Sequence, residues 1–396
     1  MDCRLINENT LPQVAELWDY CFEKKDTEFY KWYFHDYCLK QNKILGGFTQ
    51  EGQLATMLHL NPYLIKIGQK ELKLPYIVGV ATAPEARGQH AMGALLDTTF
   101  SLLRASKTPL VILKPIAAEI YRPYGFAYTC YRQHYHLPIA KVPAMPSLIS
   151  EAHSKLRRAV PSDVKEELAK IYVEAMSSKS GCVQRSELNW DNLLAVAMMD
   201  NTECVLAYAS DGIPVGYCLY TQSGAAITTN ELIALTPGAK GDLLRYLAGF
   251  ADKKELDWLA ADDDLTYLHY RYQEPICQKE AFMMGRVLNT AQVFRDLPLH
   301  EDVPDGSFVI FVEDKSFPIN HFYTRVIIKQ GVLSLQDTTD DPDVVLDVGT
   351  MAQLVFGTFT VSELAANGQI DIVSGMAEAM LAKLFPWQNN YINEYF

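Results

Sequence analysis

The sequence predicts a mixed α/β protein with two related units, followed by an α+β domain at the C-terminal end. Three observations support this fold class. First, the chain has 396 residues, more than one ordinary domain needs. Second, strand-like and helix-like segments alternate over the first 150 residues, and much of that order returns about 130 residues later. Third, the pattern changes to short strands from about Arg286. We therefore predict domains over residues 1–150, 151–285 and 286–396.

The first unit opens with a predicted helix over Leu11–Cys38, because Val14, Leu17, Trp18 and Cys21 have the spacing of one helix face. A second amphipathic pattern predicts a helix over roughly Gly88–Ala105, and a short helical piece follows near residues 117–122. The other elements of this unit are predicted strands at Lys43–Thr49, Gln53–Leu60, Tyr63–Ile67, Tyr76–Thr82, Leu110–Leu113 and Phe126–His136.

The second unit repeats this order of strands and helices, but its amino-acid sequence differs from that of the first. A linker is predicted over Lys141–Ser154, and a helix over Gly238–Phe250. Strands are predicted around this helix at Cys204–Ala209, Pro214–Thr221, Ile227–Ala234 and Leu256–Ala260. The C-terminal domain shows strand patterns at Val309–Val312, Val326–Ile328 and Asp343–Val348, before the segment Phe356–Ala366.

Composition excludes several classes of protein. Apolar residues make up 49% of the chain and charged residues 21%, which excludes disorder over its whole length. The net charge of −13 argues against a nucleic-acid-binding surface. No window has the 18 consecutive apolar residues of a membrane helix, and the N-terminus has no signal-peptide pattern. The eight cysteines form no CxxC pair, so we expect a cytoplasmic protein with reduced thiols, no metal and no membrane partner.

The segment from Val78 to Leu96 carries the clearest chemical signal. A buried strand ends near Pro84, turns through Arg87 and Gly88, and enters a helix. A helix that begins in this way points unpaired backbone N–H groups and the positive end of its dipole at one spot, which suits a diphosphate. The alternative is an ordinary strand-to-helix turn with an exposed arginine. No Walker A, dinucleotide-binding, nucleophile-elbow or zinc-protease motif occurs elsewhere.

This V-x-x-x-P-x-x-R-G-x-x-x-x-x-x-L-L run resembles the acetyl-CoA loop of the Gcn5-related N-acetyltransferases (GNAT), although His90 and Met92 stand where that loop commonly has glycines. The resemblance implies a GNAT fold in which acetyl-CoA contacts the strand before the loop and the loop itself. The residues so assigned are Val78, Gly79, Val80, Arg87, Gly88, Gln89, His90, Ala91 and Met92.

A second motif follows, in which Ile120-Tyr121 precedes Gly125-Phe126. It is similar to the I-Y-x-x-x-G-F/Y motif of the same family. The resemblance implies that Tyr121 lies beside the thioester sulfur and protonates the departing thiolate. For Tyr121, and more so for Tyr124, the alternative is packing in the core with a satisfied hydroxyl.

Three further segments, Glu231–Pro237, Gly241–Leu247 and Val345–Ile370, extend the resemblance over the whole chain. The first two look like the degenerate central unit, and the third like the sterol-carrier-protein-like α+β domain, of the enhanced-intracellular-survival (Eis) family, which joins two GNAT-like units to such a domain. In that family the terminal carboxylate enters the N-terminal active site and takes the proton of the substrate amine, so Phe396 is the implied base. The alternative is a frayed tail. Homo-oligomers, as hexamers, are also implied by the resemblance.

The predicted function is transfer of an acetyl group from acetyl-CoA to a primary amine by direct attack in a ternary complex. The acceptor is a small molecule or a peptide: an aminoglycoside, a polyamine or a lysine or peptide amine. Two alternatives stay open at this point, a carrier of lipids or acyl chains and a regulatory protein that binds acyl-CoA without turnover. The intact Arg87-Gly88 pair and Tyr121 favour the enzyme.

Overall fold

The computed structural model describes residues 1–144, 154–269, 277–296 and 303–395. These residues form two compact units, each described by itself below. Unit 1 contains Met1–Thr129, Phe282–Gln388 and the last residues from Glu394. Unit 2 contains Cys130–Ala281 and the short segment Asn389–Asn393. Most of the predicted linker, residues 145–153 of Lys141–Ser154, lies outside the described part of the chain.

The helices and strands are numbered in chain order. Those that begin before Phe126 are β1 Asp2–Leu5, α1 Leu11–Cys21, α2 Glu28–Trp32, β2 Lys43–Phe48, β3 Leu54–Ile67, β4 Lys70–Thr82, α3 Ala91–Ala105, β5 Leu110–Leu113 and α4 Ala118–Tyr121.

The middle of the chain contributes β6 Ala127–Pro138, β7 Lys155–Ala159, α5 Lys165–Met176, β8 Cys182–Val183, α6 Glu187–Met199, β9 Glu203–Tyr208, β10 Pro214–Ser223, β11 Ala226–Ala234, α7 Pro237–Ala248, β12 Glu255–Ala261 and β13 Cys277–Val287. The last third contributes α8 Thr290–Asp296, β14 Gly306–Glu313, β15 Phe322–Lys329, β16 Val332–Gln336, β17 Val344–Asp347, α9 Val348–Val355, α10 Val361–Ala366, β18 Ile370–Ile372 and α11 Gly375–Leu384.

In unit 1 the first five strands form a mixed sheet. The strands β1 to β4 pair in sequence order as antiparallel neighbours. The helix α3 then crosses over, so that β5 lies parallel to β4. The end of β13 pairs antiparallel with β5. The apolar face of α3, with Leu95, Leu96 and Phe100 buried, packs on this sheet and forms its core.

A second sheet in unit 1 is built from the C-terminal strands, in the order β16-β15-β14-β17-β18. A buried ion pair joins this region to β13: the Arg286 guanidinium donates to the Asp314 carboxylate over 2.7 Å, and both side chains are fully buried. Arg104, near the end of α3, donates to the Leu288 carbonyl and to Asn320. Asn320 also donates to Asp314. These polar contacts fix α3 against the C-terminal part of unit 1.

Unit 2 repeats the strand–helix–strand crossover of unit 1. Its strands run in the order β6-β12-β11-β10-β9-β7, and only β11 and β12 are parallel. Between them α7 packs its buried leucines against the sheet, where Tyr135 and Trp258 stack with ring centroids 4.6 Å apart. The fold class predicted from the sequence, two GNAT-like mixed-sheet units and a sterol-carrier-like α+β domain, is confirmed.

The predicted helix Leu11–Cys38 is wrong as one element. α1 ends at Cys21, and the Asp19 carboxylate accepts a hydrogen bond from the Lys25 backbone, which holds the following turn. Thr27 then caps the N-terminus of α2 by accepting from the Tyr30 backbone N–H. The predicted helix face of α1 is therefore correct, but local side-chain hydrogen bonds end this helix and begin a second one.

Two strands predicted as separate, Gln53–Leu60 and Tyr63–Ile67, form the single strand β3. Pro62 does not end the strand because it lies directly opposite Pro75 of β4, so both missing N–H groups fall at one place in the ladder. Among the described residues, no helix combines the length and apolar character that spanning a membrane requires.

Candidate active site

A β-bulge in β4 marks the centre of the predicted site. In the register of β3 and β4, Met57 lies opposite Ala81 but His59 lies opposite Val78, so Gly79 and Val80 together face one residue, Leu58. A bulge of this kind leaves one residue out of the ladder and turns its backbone groups away from the partner strand. Two residues predicted to contact acetyl-CoA, Gly79 and Val80, therefore form the bulge, and a third, Val78, lies directly before it.

Three aromatic side chains pack behind the bulge. The Trp18 and His59 rings lie 5.1 Å apart, and the Tyr33 hydroxyl lies 3.1 Å from His59 Nδ1. His59 is fully buried, and this burial lowers the pKa of its imidazole to about 3, so it is neutral at physiological pH. Gly79 has φ +58°, and a Cβ there would lie 2.5 Å from Trp18. Only glycine fits this contact.

We predict that Gly79→Ala destabilises the protein clearly more than Gly68→Ala. Both glycines have φ +58°, but nothing lies within 4 Å of a Cβ at Gly68. Gly68→Ala adds only backbone strain, whereas Gly79→Ala adds overpacking of about 1–3 kcal/mol as well. Thermal unfolding of the two variants measures the difference. Equal unfolding temperatures would show that the Trp18 contact does not constrain the bulge.

Next to the bulge, the parallel strands β4 and β5 separate. They pair at only two positions, Tyr76 with Ile112 and Ile77 with Leu113. β4 continues to Thr82, whereas β5 ends at Leu113. A wedge therefore opens between the strands beside Val78, where β4 no longer pairs with β5.

The predicted diphosphate loop follows β4. Arg87, Gly88, Gln89 and His90 are exposed, and Arg87 donates from Nε to the Thr82 carbonyl, which holds its side chain beside the strand end. No side chain caps the N-terminus of α3, which begins at Ala91 rather than at the predicted Gly88. The uncapped amide groups and the helix dipole suit an anion.

His90 has the backbone conformation that glycine favours. Its φ is +57°, in the left-handed region. Histidine is one of the few non-glycine residues enriched there. The loop therefore keeps a glycine-like path through His90, although its sequence departs from the glycine pattern. This path explains why α3 starts three residues later than the sequence predicts.

Tyr121 lies at the end of α4 and is buried. It belongs to the same apolar cluster as Ile77 and Leu113, against which Val80 and Met92 also pack. Burial raises the pKa of the Tyr121 hydroxyl, so it is protonated at neutral pH. This hydroxyl has no hydrogen-bond partner within the described ranges. Tyr124 instead packs its hydroxyl against α3, where a Cβ at Gly93 would meet it at 3.1 Å.

The last described residues of the chain lie beside the wedge. Lys114, which directly follows β5, places its ammonium 4.4 Å from the centre of the Tyr395 ring. Burial, followed by the charges of Glu394 and Tyr395, raises the pKa of Tyr76 in β4. Glu394 is itself buried. Phe396, the predicted base, lies outside the described residues.

The residues just before Glu394 are held within unit 2. The Arg185 guanidinium and the Glu231 carboxylate form a bidentate ion pair, with both bonds 2.8 Å long and both side chains almost fully buried. Tyr391 and Asn393 each donate a hydrogen bond to the same carboxylate. Burial raises the pKa of Glu231, but the Arg185 charge and the hydrogen bonds from Arg185, Tyr217 and Asn393 outweigh it and leave the pKa below its ordinary value.

The crossover of unit 2 lacks the features of an anion site. Thr236 caps α7 by accepting a hydrogen bond from the Ala239 N–H, so the first turn of that helix is partly satisfied. A cleft of about 560 Å³ lies beside the start of α7 and is lined in part by two lysines, Lys179 and Lys240. Lys179 is paired with Asp263, and Lys240 with Asp264, so their charges are neutralised.

Sequence reasoning singled out the contiguous loop and Tyr121 but did not single out Trp18, Tyr33 and His59 behind the bulge. These residues come from α1, the short π-helix Tyr33–Tyr37 that follows α2, and β3, and nothing in their local spacing joins them. The one available signal was Gly79 inside an apolar strand, a position where glycine often marks a bulge.

Comparison with known proteins agrees with this geometry. The acetyltransferase (GNAT) domain family matches residues 2–129, a second acetyltransferase (GNAT) domain family matches residues 181–287, and the sterol carrier protein domain family matches residues 290–393. A curated relative from Streptomyces avermitilis, described as an uncharacterized N-acetyltransferase, is 23% identical over 363 residues. That match covers 86% of this chain and 85% of the relative.

Solved structures with the same fold cover the whole chain. A probable N-acyltransferase from Enterococcus faecalis has a TM-score of 0.87 and 19% identity, covering 100% of this chain and 99% of its own. A GCN5-related N-acetyltransferase from Anabaena variabilis has a TM-score of 0.81 and 17% identity, with both chains fully covered. Eis1 from Mycobacterium abscessus has a TM-score of 0.74 and 17% identity, again with both chains fully covered.

Fold and matches together define the class of protein: an acetyl-CoA-dependent acyltransferase with GNAT domains. Two such domains followed by a sterol carrier protein domain give the chain an Eis-like organisation, and the resemblance seen in the sequence is confirmed.

Proposed function

We propose that the N-terminal GNAT domain transfers an acetyl group from acetyl-CoA to a primary amine by direct attack in a ternary complex. The observation that carries this proposal is the convergence of three features at one edge of the sheet. These are the bulge at Gly79, the wedge between β4 and β5, and the uncapped start of α3. Each suits a different part of one molecule: the thioester, the pantetheine arm and the diphosphate.

In this proposal the loop binds the diphosphate through Arg87, Gly88, Gln89, His90, Ala91 and Met92. The support is the exposed loop and the free end of the helix dipole, which cost no rearrangement when an anion binds. The bulge residues Gly79 and Val80, with Val78 before them, offer backbone N–H groups to the thioester carbonyl. Donors fixed in this way stabilise the negative charge that develops on the carbonyl oxygen.

When bound, acetyl-CoA supplies the activated acetyl group, and the residues of this chain move the protons. The amine nitrogen forms a bond to the carbonyl carbon while the carbon–sulfur bond breaks. Tyr121 donates its hydroxyl proton to the departing sulfur, and its buried, protonated state supports this role. A base must take the proton of the attacking amine. For a protein that ends at Phe396, we propose its α-carboxylate, supported by the position of Tyr395 beside Lys114.

The acceptor class stays as the sequence predicts it, an aminoglycoside, a polyamine or a lysine or peptide amine. The net charge of −13 supports a cationic acceptor, because an acidic protein attracts cations over long range. Unit 2 has a structural role in this proposal, since its crossover has a capped helix and paired lysines. The homo-oligomeric, hexameric state also remains a prediction.

Titration calorimetry with acetyl-CoA tests the binding site. We expect one acetyl-CoA per chain, and we expect Arg87→Glu to weaken its affinity about tenfold to 100-fold, because a charge-assisted hydrogen bond is lost and a repulsive charge gained. Lys107→Glu is the matched control: it makes the same charge change just beyond the opposite end of α3. Unchanged affinity in Arg87→Glu, or two molecules bound per chain, would contradict the proposed site.

A further inference from the structure

A cluster of metal-ligating side chains lies in unit 2, on strands that the proposed chemistry does not use. His134 and His136 belong to β6 and Asp257 belongs to β12. Asp257 Oδ1 lies 2.5 Å from His134 Nε2 and 3.2 Å from His136 Nδ1. One ligand atom from each of the three residues lies within 4.8 Å of the other two.

The sheet fixes these three side chains on one face. Alternate residues of a strand point to the same side, so His134 and His136 share a face, and Asp257 lies directly opposite His136 in the antiparallel register. The other face carries Tyr135 and Trp258, which are buried and stacked. A packed core on that face leaves the backbone of the cluster little freedom. His136 is exposed, whereas His134 and Asp257 are half-buried, so an ion can reach the cluster from solvent.

A further carboxylate lies behind His134. Glu280 of β13 is 3.5 Å from His134 Nδ1, the ring nitrogen that faces away from Asp257, and Arg132 holds Glu280 through a 3.0 Å bond from Nε. In metal sites the second nitrogen of a ligating histidine commonly donates to a carboxylate, which fixes the tautomer and leaves the other nitrogen free to bind the ion. Glu280 is placed for this role, and Arg132 balances its charge.

We propose that His134, His136 and Asp257 bind one Zn²⁺ ion, with water in the fourth position. Two imidazoles and one carboxylate are a donor set that zinc accepts with tetrahedral geometry. Bonds of 2.0–2.2 Å at tetrahedral angles place ligand atoms about 3.3 Å apart. The 3.2 Å separation between Asp257 Oδ1 and His136 Nδ1 already matches this value. Rotation of the half-buried Asp257 side chain lengthens the 2.5 Å separation from His134 Nε2.

Such an ion joins β6 to β12 and therefore stabilises the sheet of unit 2. The sequence predicts no metal, because its eight cysteines form no CxxC pair. The structure supplies a site that this search could not find, since a His-x-His pair on one strand meets an aspartate from a distant part of the chain.

Calorimetry of the full-length, chelator-treated protein with Zn²⁺ at pH 7.5 tests the site. We expect one ion per chain with a dissociation constant of about 1 µM or tighter, and a rise in the unfolding temperature when zinc is added. His136→Ala and Asp257→Asn should each weaken the affinity at least tenfold. Glu280→Gln should weaken it about tenfold to 100-fold through His134. His35→Ala is the control, because His35 faces one carboxylate, Asp36, at 3.0 Å.

Co²⁺ as a spectroscopic probe separates this site from zinc binding by the free thiols, of which Cys3, Cys21 and Cys277 are not fully buried. We expect the visible bands of four-coordinate Co²⁺ without a thiolate-to-metal charge-transfer band. A thiolate band would assign the metal to cysteine and overturn the proposal. Millimolar affinity for Zn²⁺, or undiminished affinity in both His136→Ala and Asp257→Asn, would overturn it as well.

Discussion

Tyr121→Phe is expected to lower kcat by about 100-fold or more while leaving the affinity for acetyl-CoA nearly unchanged. The hydroxyl acts as a general acid only as negative charge develops on sulfur, so its loss raises the barrier without weakening ground-state binding. The aromatic ring, which packs in the apolar cluster with Ile77 and Leu113, is retained in phenylalanine. Steady-state rates of CoA release and calorimetry with acetyl-CoA measure the two effects separately.

Tyr124→Phe is the matched control for this variant. Tyr124 lies three residues further on and packs against α3 at Gly93. Its replacement by phenylalanine also removes a tyrosine hydroxyl and nothing else. We expect its kcat to stay within a few-fold of the wild-type value. If both variants lost activity to the same extent, Tyr121 would have no special role in proton transfer.

The second large effect is expected at the end of the chain. In a protein that ends at Phe396, a short Gly-Ser extension converts the proposed catalytic carboxylate to an amide. Turnover should then nearly disappear, because the attacking amine has no base, while acetyl-CoA still binds at the Arg87 loop. Deletion of Phe396 moves the carboxylate to Tyr395, about 3.3–3.6 Å short along an extended chain and beyond hydrogen-bonding reach.

Phe396→Leu provides the control, since it keeps the carboxylate and much of the apolar side chain. We expect it to retain partial activity. The anchoring of Tyr391 and Asn393 on Glu231 is untouched by all three changes, so the tail up to Asn393 should keep its position. Full kcat in the extended protein at saturating amine would mean that the base is a different group.

The contiguous parts of the fold and site were predictable from the sequence. Arg87, Gly88 and the helix after them lie in one short run, and so do Tyr121 and Gly125. Strand–helix–strand order then follows from local apolar patterns, and it identified both crossovers. In the structure these helices connect the parallel strands β4 and β5, and β11 and β12.

Features that depend on distant residues were beyond such reasoning. The bulge at Gly79 packs against Trp18 and His59, and the tail before Glu394 is held by Glu231, which is paired with Arg185. Helical periodicity also gives no information on capping, so it did not predict that a new helix begins after Thr27. Each of these features is an interaction between segments that only the folded chain brings together.

The most direct test of the central claim is the rate of CoA release from acetyl-CoA by the full-length protein, measured with and without an amine. An aminoglycoside, a polyamine and a lysine-containing peptide cover the proposed acceptors. The account predicts amine-dependent release with at least one of them, and a loss of about 100-fold in Tyr121→Phe. Tight binding of acetyl-CoA without amine-dependent release by any acceptor would contradict it and favour a protein that binds acyl-CoA without turnover.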